Sequence, residues 1–147
     1  MTSTPLKTTR GCFGCGTENA AGLRLAPTLD DDGRVRATWA PGPEHRGLSH
    51  ISHGGILTAA CDEMMGFAMA TLGAGKLYVT TTLEMRFLRP VPLGAPVTLE
   101  AWCTGRRGRR VFTRCRILAA DGKEAAAARA TFLEIPDHLR PKLVRGG

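Results

Sequence analysis

The fold class that this sequence predicts is α+β, an antiparallel sheet wrapped around one long helix. Three observations lead there. Residues 53–72 run without a proline and are mostly helix-compatible. After Gly73 and Gly75 the hydrophobic period changes from helical to two. Alternating segments then follow one another through tight-turn signals, which segregates the strands from the lone helix. A chain of 147 residues, 43% hydrophobic and 22% charged, has the size and composition of a single globular domain rather than of a disordered segment. The expected domain is 1–147, with its core from about residue 12 to residue 135 and a loose tail at either end.

In chain order, residues 1–10 are polar and read as a tail. Residues 22–26 and 35–39 are short strand candidates, separated by the turn signal Asp30-Asp31-Asp32-Gly33. Residues 41–52 form a loop rich in Pro, Gly and His, and residues 53–72 are the helix. Segment 78–89 alternates, with Val79, Thr81, Leu83, Met85 and Phe87 on one face and Thr80, Thr82, Glu84 and Arg86 on the other. Pro90-Val91-Pro92-Leu93-Gly94 breaks the chain. Segments 97–104 and 110–119 are strands joined by a turn around Gly108, and Asp121-Gly122 is a two-residue hairpin signal. Segment 123–135 closes the pattern. Its alanine run, 125–128, favours helix by propensity, but the hairpin before it makes it a strand. The tail after Pro136 is short and basic.

The formal net charge of +7 asks for an anionic partner. Arg106, Arg107, Arg109, Arg110, Arg114 and Arg116 supply a dense part of it, whose plain reading is the solvated face of a hairpin. Aromatic residues are only 5% and no nucleic-acid motif is present, so nucleic acid is not an expected partner. No stretch reaches the roughly 18 apolar residues of a membrane span. No apolar run follows Lys7 and Arg10, so a signal peptide is not read either. The expectation is a cytoplasmic protein with no membrane partner. Five cysteines without an export signal argue against disulfides. Cys12 and Cys15 form a CxxC, but no second CxxC or CxxH completes a zinc set, so neither metal nor cofactor is expected. Cys61, Cys103 and Cys115 read as small buried hydrophobes.

The helix carries the chemistry. From Gly54 to Gly75 the only charged residues are Asp62 and Glu63, in an otherwise apolar, small or threonine-bearing stretch. A helix apolar on nearly every side is a buried one, and carboxylates in its middle are costly unless paired, hydrated or used. Asp62 shares a face with Gly55, Thr58, Ala59, Met65, Gly66 and Met69, whereas Glu63 lies about 100° round. The plain alternative for Glu63 is a structural pair with an arginine of the sheet. At the helix start, His53-Gly54-Gly55 leaves unpaired N–H groups that a ligand can approach closely, where developing negative charge is favoured. The plain alternative is a glycine-rich loop that merely starts a helix.

His53-Gly54-Gly55, with Asp62 nine residues after the histidine, resembles the hot-dog-fold acyl-CoA thioesterases, of the phenylacetate-pathway and 4-hydroxybenzoyl-CoA type. Arg86-Phe87-Leu88-Arg89-Pro90-Val91-Pro92-Leu93-Gly94 is similar to that family's strand and loop after the helix. Cys12-Phe13-Gly14-Cys15-Gly16, continuing to Asn19 and Gly22-Leu23, is similar to the lead-in of a subset. The resemblance implies a five- or six-stranded sheet around the helix, and homodimers or dimer-of-dimers tetramers with sites at the subunit interface. It implies hydrolysis of an acyl-CoA to carboxylate and CoA, with Asp62 as nucleophile or general base. Gly54 N–H would polarise the carbonyl, with His53 holding the loop and Thr80 touching the reacting centre. Gly55 and Glu63 would line the substrate, and Arg86, Arg89 and the 106–110 turn would meet CoA phosphates. One departure stands out: Gly47 occupies a position where many relatives carry Asn or Gln, which leaves a non-hydrolytic acyl-CoA-binding protein as the alternative.

Overall fold

Three glycines fold the sheet back on itself. At Gly33, Gly108 and Gly122 φ is 79°, 59° and 80°, the left-handed region that a Cβ disfavours, and each lies at a turn between neighbouring strands. The computed structural model describes residues 2–73 and 75–144; Met1, Ala74 and residues 145–147, the end of the basic tail, lie outside the described residues. The strands are β1 (Ser3–Pro5), β2 (Thr28–Asp30), β3 (Val35–Trp39), β4 (Tyr78–Phe87), β5 (Val97–Arg107), β6 (Arg110–Leu118) and β7 (Glu124–Glu134). They form one sheet in the order β1-β2-β3-β5-β6-β7-β4, antiparallel throughout. Helix α1 (Gly54–Ala68) continues through a 3-10 turn, Met69–Leu72, and packs against the sheet. A four-residue helix α2 (Arg140–Leu143) follows β7, in what reads from sequence as tail. This is the hot-dog arrangement, with seven strands among the described residues rather than five or six.

The extra strands come from the region where alternation is weakest. Ser3–Pro5, read as tail, pairs with Thr28–Asp30. Residues 22–26, read as a strand, are not one: Arg24 has φ 56°, which no strand allows. Leu23 and Leu25 are nevertheless buried, their N–H groups donating to Phe13 and Gly14 carbonyls. Their apolarity belongs to a loop packed into the core.

On α1 the buried residues are Leu57, Ala60, Cys61, Met64, Met65 and Ala68, a stripe with alternating steps of three and one. It meets Val35, Leu99, Val111 and Ile117 from the sheet and the alanines of β7. Burying a Leu or Met side chain contributes roughly 1.5–3 kcal/mol. Ala125, Ala126 and Ala128 are all buried, so the alanine run is a strand whose small side chains suit a closely packed helix. The opposite flank, with Asp62, Glu63, Gly66 and Phe67, is only half-buried. The helix is therefore not sealed on every side as its composition suggests.

Strand β4 also departs from strict alternation. Its register to β7 shifts between Thr80 and Thr82, a bulge at Thr81. Thr80 pairs with Phe132, Leu83 with Ala130, Met85 with Ala128 and Phe87 with Ala126, partners that are all buried. Thr80 thus shares the helix side with Leu83, Met85 and Phe87, whereas plain alternation puts it on the other face.

Candidate functional site

The bulge is what brings Thr80 to Asp62. The Thr80 hydroxyl donates to Asp62 Oδ1 at 2.7 Å. No salt bridge reaches Asp62 or Glu63 among the described residues. Both carboxylates line an open groove of about 990 Å³, together with Gly66, Phe67, Met69 and Thr80. A half-buried carboxylate held by one neutral hydroxyl keeps acceptor capacity for water or for an incoming electrophile. Lys7, Lys76 and Arg140 also line this groove. Sequence reasoning missed them because they lie in segments without periodicity, read as tails and loop.

His53 is the N-cap of α1. Its Nδ1 accepts the Gly55 N–H at 2.9 Å, and its carbonyl accepts from Ile56 and Leu57. A Cβ at Gly55 would lie 3.0 Å from that nitrogen, so glycine there lets the imidazole close over the first turn. Gly55 N–H, expected to face substrate, is therefore engaged, and Gly54 N–H is left without an acceptor among the described residues. The ring of Phe87, at the far end of β4, lies 3.3 Å from where a Gly54 Cβ would stand.

Asp62 and Gly54 are not brought together within one chain. Eight residues along a helix are about 12 Å, and Gly54 is not among the residues lining the groove around Asp62.

The loop before the helix explains Gly47. A Cβ there would lie 2.8 Å from His53 Cα and 3.0 Å from His53 N, closer than backbone tolerates, so an Asn or Gln cannot enter without moving the cap. His45 does the bracing instead. It is buried, its Nδ1 accepts from Gly42 N–H at 2.9 Å, its carbonyl accepts from His53 N–H at 2.8 Å, and its ring packs 5.7 Å from that of Trp39.

Other expected site residues lie apart. Arg86 pairs with Ala127 on the outer face of the sheet, away from Asp62, beside Glu84 and Arg114. Arg89 is bound to Asp121 at 3.1 Å. Arg106 is tied to Glu134, while Arg107, Arg109 and Arg110 border a separate hollow with Phe112. Trp102 is on the outer face, with the Arg34 guanidinium 4.1 Å from the indole ring centroid. Met65 is wholly buried core, whereas Phe67 and Met69 do line the groove. Glu63, for which an arginine partner was the plain expectation, instead has Cys12 Sγ at 3.4 Å from Oε1.

Comparison with known proteins agrees with this architecture. An acyl-coenzyme A thioesterase THEM4 from Xenopus laevis is 31% identical over 93 residues, 60% of this chain, and the chain spans only 39% of that protein's length. A crystal structure of a thioesterase superfamily protein superposes with a TM-score of 0.78 at 30% identity, over 85% of this chain and 61% of the other. The PaaI protein of the E. coli phenylacetic acid degradation operon shares the fold, with a TM-score of 0.69 at 21% identity over 78% of this chain and 81% of the other. Residues 50–126, from the loop before α1 into β7, match the family model described as Thioesterase superfamily. With that match covering more than half of its length, the chain belongs to the thioesterase superfamily.

Proposed function

We propose that the protein hydrolyses the thioester of an acyl-CoA, with water, to a free carboxylate and CoA. The observation that carries this reading is the Asp62–Thr80 pair, a carboxylate with no salt-bridge partner among the described residues on the wall of an open groove. Thr80 fixes Oδ1, and the second oxygen is the one assigned to the reaction. Asp62 either attacks the thioester carbon or takes a proton from the water that does. Entry of solvent oxygen-18 into Asp62 in a single turnover separates the two routes. The carbonyl oxygen, negative after attack, is assigned to the free Gly54 N–H, a donor of the kind worth roughly 3–4 kcal/mol to such a step. Phe67 and Met69 are assigned to the acyl group. Lys7, Lys76 and Arg140 in the groove, with Arg86 and Arg89 further off, are the candidate contacts for CoA phosphates.

The two halves of this site meet only if a second copy takes part. Strand β4 pairs with β7 on one side and offers its other edge, ten residues long, unpaired among the described residues. Asp62 is reached from the Thr80 end of that strand and Gly54 from the Phe87 end. Antiparallel pairing of two β4 edges about a two-fold sets one copy's Thr80 end beside the other's Phe87 end. Asp62 of one copy then works with Gly54 of the second, and a homodimer holds two equivalent sites.

Release of CoA from short, aromatic and long acyl-CoAs, by wild type and by Asp62→Ala, tests the proposal. Hydrolysis that disappears in the variant supports it. An unchanged background rate in both, with acyl-CoA still bound, favours instead the non-hydrolytic reading, for which the tightly packed Gly47 is the supporting observation.

A further inference from the structure

The CxxC that the thioesterase reading leaves unused is not isolated in space. Cys12 Sγ, Cys15 Sγ and a carboxylate oxygen of Glu63 lie within 4.8 Å of one another, although Glu63 is 51 residues from Cys12. We infer that these three side chains form a binding site for a thiophilic divalent cation, zinc foremost, with the fourth tetrahedral position open to water.

The distances fit a single ion. Zinc–sulfur bonds of about 2.3 Å and zinc–oxygen bonds of about 2.0–2.2 Å at tetrahedral angles put ligand atoms roughly 3.5–3.8 Å apart. The 3.4 Å between Cys12 and Glu63 is already there, and the widest pair closes by about an ångström at most.

The loop is built around the carboxylate. A Cβ at Gly14 would lie 2.5 Å from Glu63 Cγ and Cδ, and one at Gly16 would lie 2.4–2.6 Å from the Arg10 and Cys12 backbone. Glycine at both places lets the CxxC turn close, with Gly16 N–H donating to the Cys12 carbonyl at 2.8 Å.

The charge pattern also asks for a cation. Two thiols and a carboxylate converge on the half-buried flank of α1, and no basic side chain forms a salt bridge to Glu63 among the described residues. A coordinating thiol is deprotonated by the ion it binds. Calcium and magnesium require oxygen shells, so two sulfurs select a softer metal. Glu63 and Thr9 both border the groove. The site would pin the loop of residues 12–16 to the middle of α1, whether or not Asp62 performs hydrolysis.

The test uses the full chain, reduced and stripped of metal by chelation. Titration with Co(II) is expected to give a thiolate-to-cobalt charge-transfer band and tetrahedral visible bands that saturate at one equivalent and are displaced by Zn(II). Zinc is expected to shield Cys12 and Cys15, but not Cys103, from N-ethylmaleimide, as read by peptide mass mapping. In the Cys12→Ser/Cys15→Ser double variant the charge-transfer band disappears. Glu63→Gln weakens zinc, in competition with a chromogenic chelator, by more than the roughly 10–100-fold that a supporting partner of a ligand is worth. Wild-type protein with no charge-transfer band overturns the inference. So does a band that survives in the double variant, or alkylation of Cys12 and Cys15 at rates that zinc leaves unchanged. The wild-type spectrum and alkylation map decide the matter even where a variant fails to fold.

Discussion

Two carboxylates on opposite sides of one sheet are treated in opposite ways. Glu100, on the outer face in β5, is 4% exposed and receives guanidinium groups from Arg34, Arg36 and Arg116, at 2.8 Å from Arg36 and 2.9 Å from Arg116. Arg36 extends the network to Asp30 and Asp32. Asp62, on the helix side, has a single neutral hydroxyl and an open groove. The first carboxylate has its acceptor sites filled by cations and joins β3, β5 and β6. The second is held on one oxygen only. The acid that joins strands is surrounded by arginine, and the acid proposed to react is left with room beside it. The same chain has 20 Lys and Arg, yet none among the described residues forms a salt bridge to Asp62, so the difference is a matter of placement and not of supply.

That contrast can be broken from either side. The largest effect is expected at Asp62→Asn, which removes the group proposed to attack or to accept the proton. Hydrolysis should fall by about a thousandfold or more, while the melting temperature stays level or rises, because functional carboxylates are often kept at some cost in stability. A parallel loss of melting temperature would make Asp62 structural.

Glu100→Gln is the mirror experiment. It strands arginines that share a buried acid, and breaking such a pair costs about 3 kcal/mol, near the low end of the range, since these guanidiniums are part-exposed and can rehydrate. Chemical denaturation should register that loss with catalysis of the folded fraction unchanged. The pH dependence has a definite sign. Burial pushes the Glu100 carboxyl up, but hydrogen bonds from Arg36 and Arg34 more than offset it and hold it below the usual range. Its contribution is therefore complete above the ordinary glutamate value of about 4.3 and is lost as pH falls through and below it. Wild type should lose more stability than Glu100→Gln on acidification, and equal acid sensitivity would remove Glu100 from the account.

Gly54→Pro sharpens the role of the helix start. Proline is tolerated at the first helical position, and His53, at φ −63° and ψ 136°, already has the backbone a following proline demands. The substitution deletes one N–H, and CoA release should drop by about a hundredfold. Mixing this variant with Asp62→Asn separates shared from separate sites. If each site draws on two copies, half the dimers are mixed, each has one intact site of two, and about a quarter of wild-type activity returns. No recovery would confine the site to one chain. The smallest effect is expected at Thr80→Val, which keeps the shape and removes the hydroxyl. Loss of a hydrogen bond to a charged group is worth about 1.5 kcal/mol, or about tenfold in kcat/KM.

Much of this was legible in the sequence, for reasons that are local. The turns at Gly33, Gly108 and Gly122, the helix, and strands β3 to β7 follow from turn chemistry and period, both written in neighbouring residues. Asp62, His53 and Gly54 stood out because a charge or a glycine interrupted an apolar run or opened a helix, whereas Thr80 came from the family resemblance alone, since plain alternation turns it to the other face. What escaped depends on contacts between distant segments. Ser3–Pro5 becomes a strand only because β2 is there to pair with it. Leu23 and Leu25 look like a strand face yet serve a loop. Glu63 was expected to find an arginine and found the CxxC loop, since nothing in residues 54–75 shows what the N-terminal segment lays against them.

The bulge at Thr81 has a consequence for how such proteins tolerate change. A β-strand is a parity code, odd positions facing one way and even positions the other, and one extra residue inverts everything on one side of it. Deleting Thr81 would leave each neighbouring side chain chemically intact, yet swing Thr80 out to the solvent and Val79 in over the aspartate. An apolar methyl pair would then stand where the hydroxyl stood. In this strand, counting residues matters as much as choosing them.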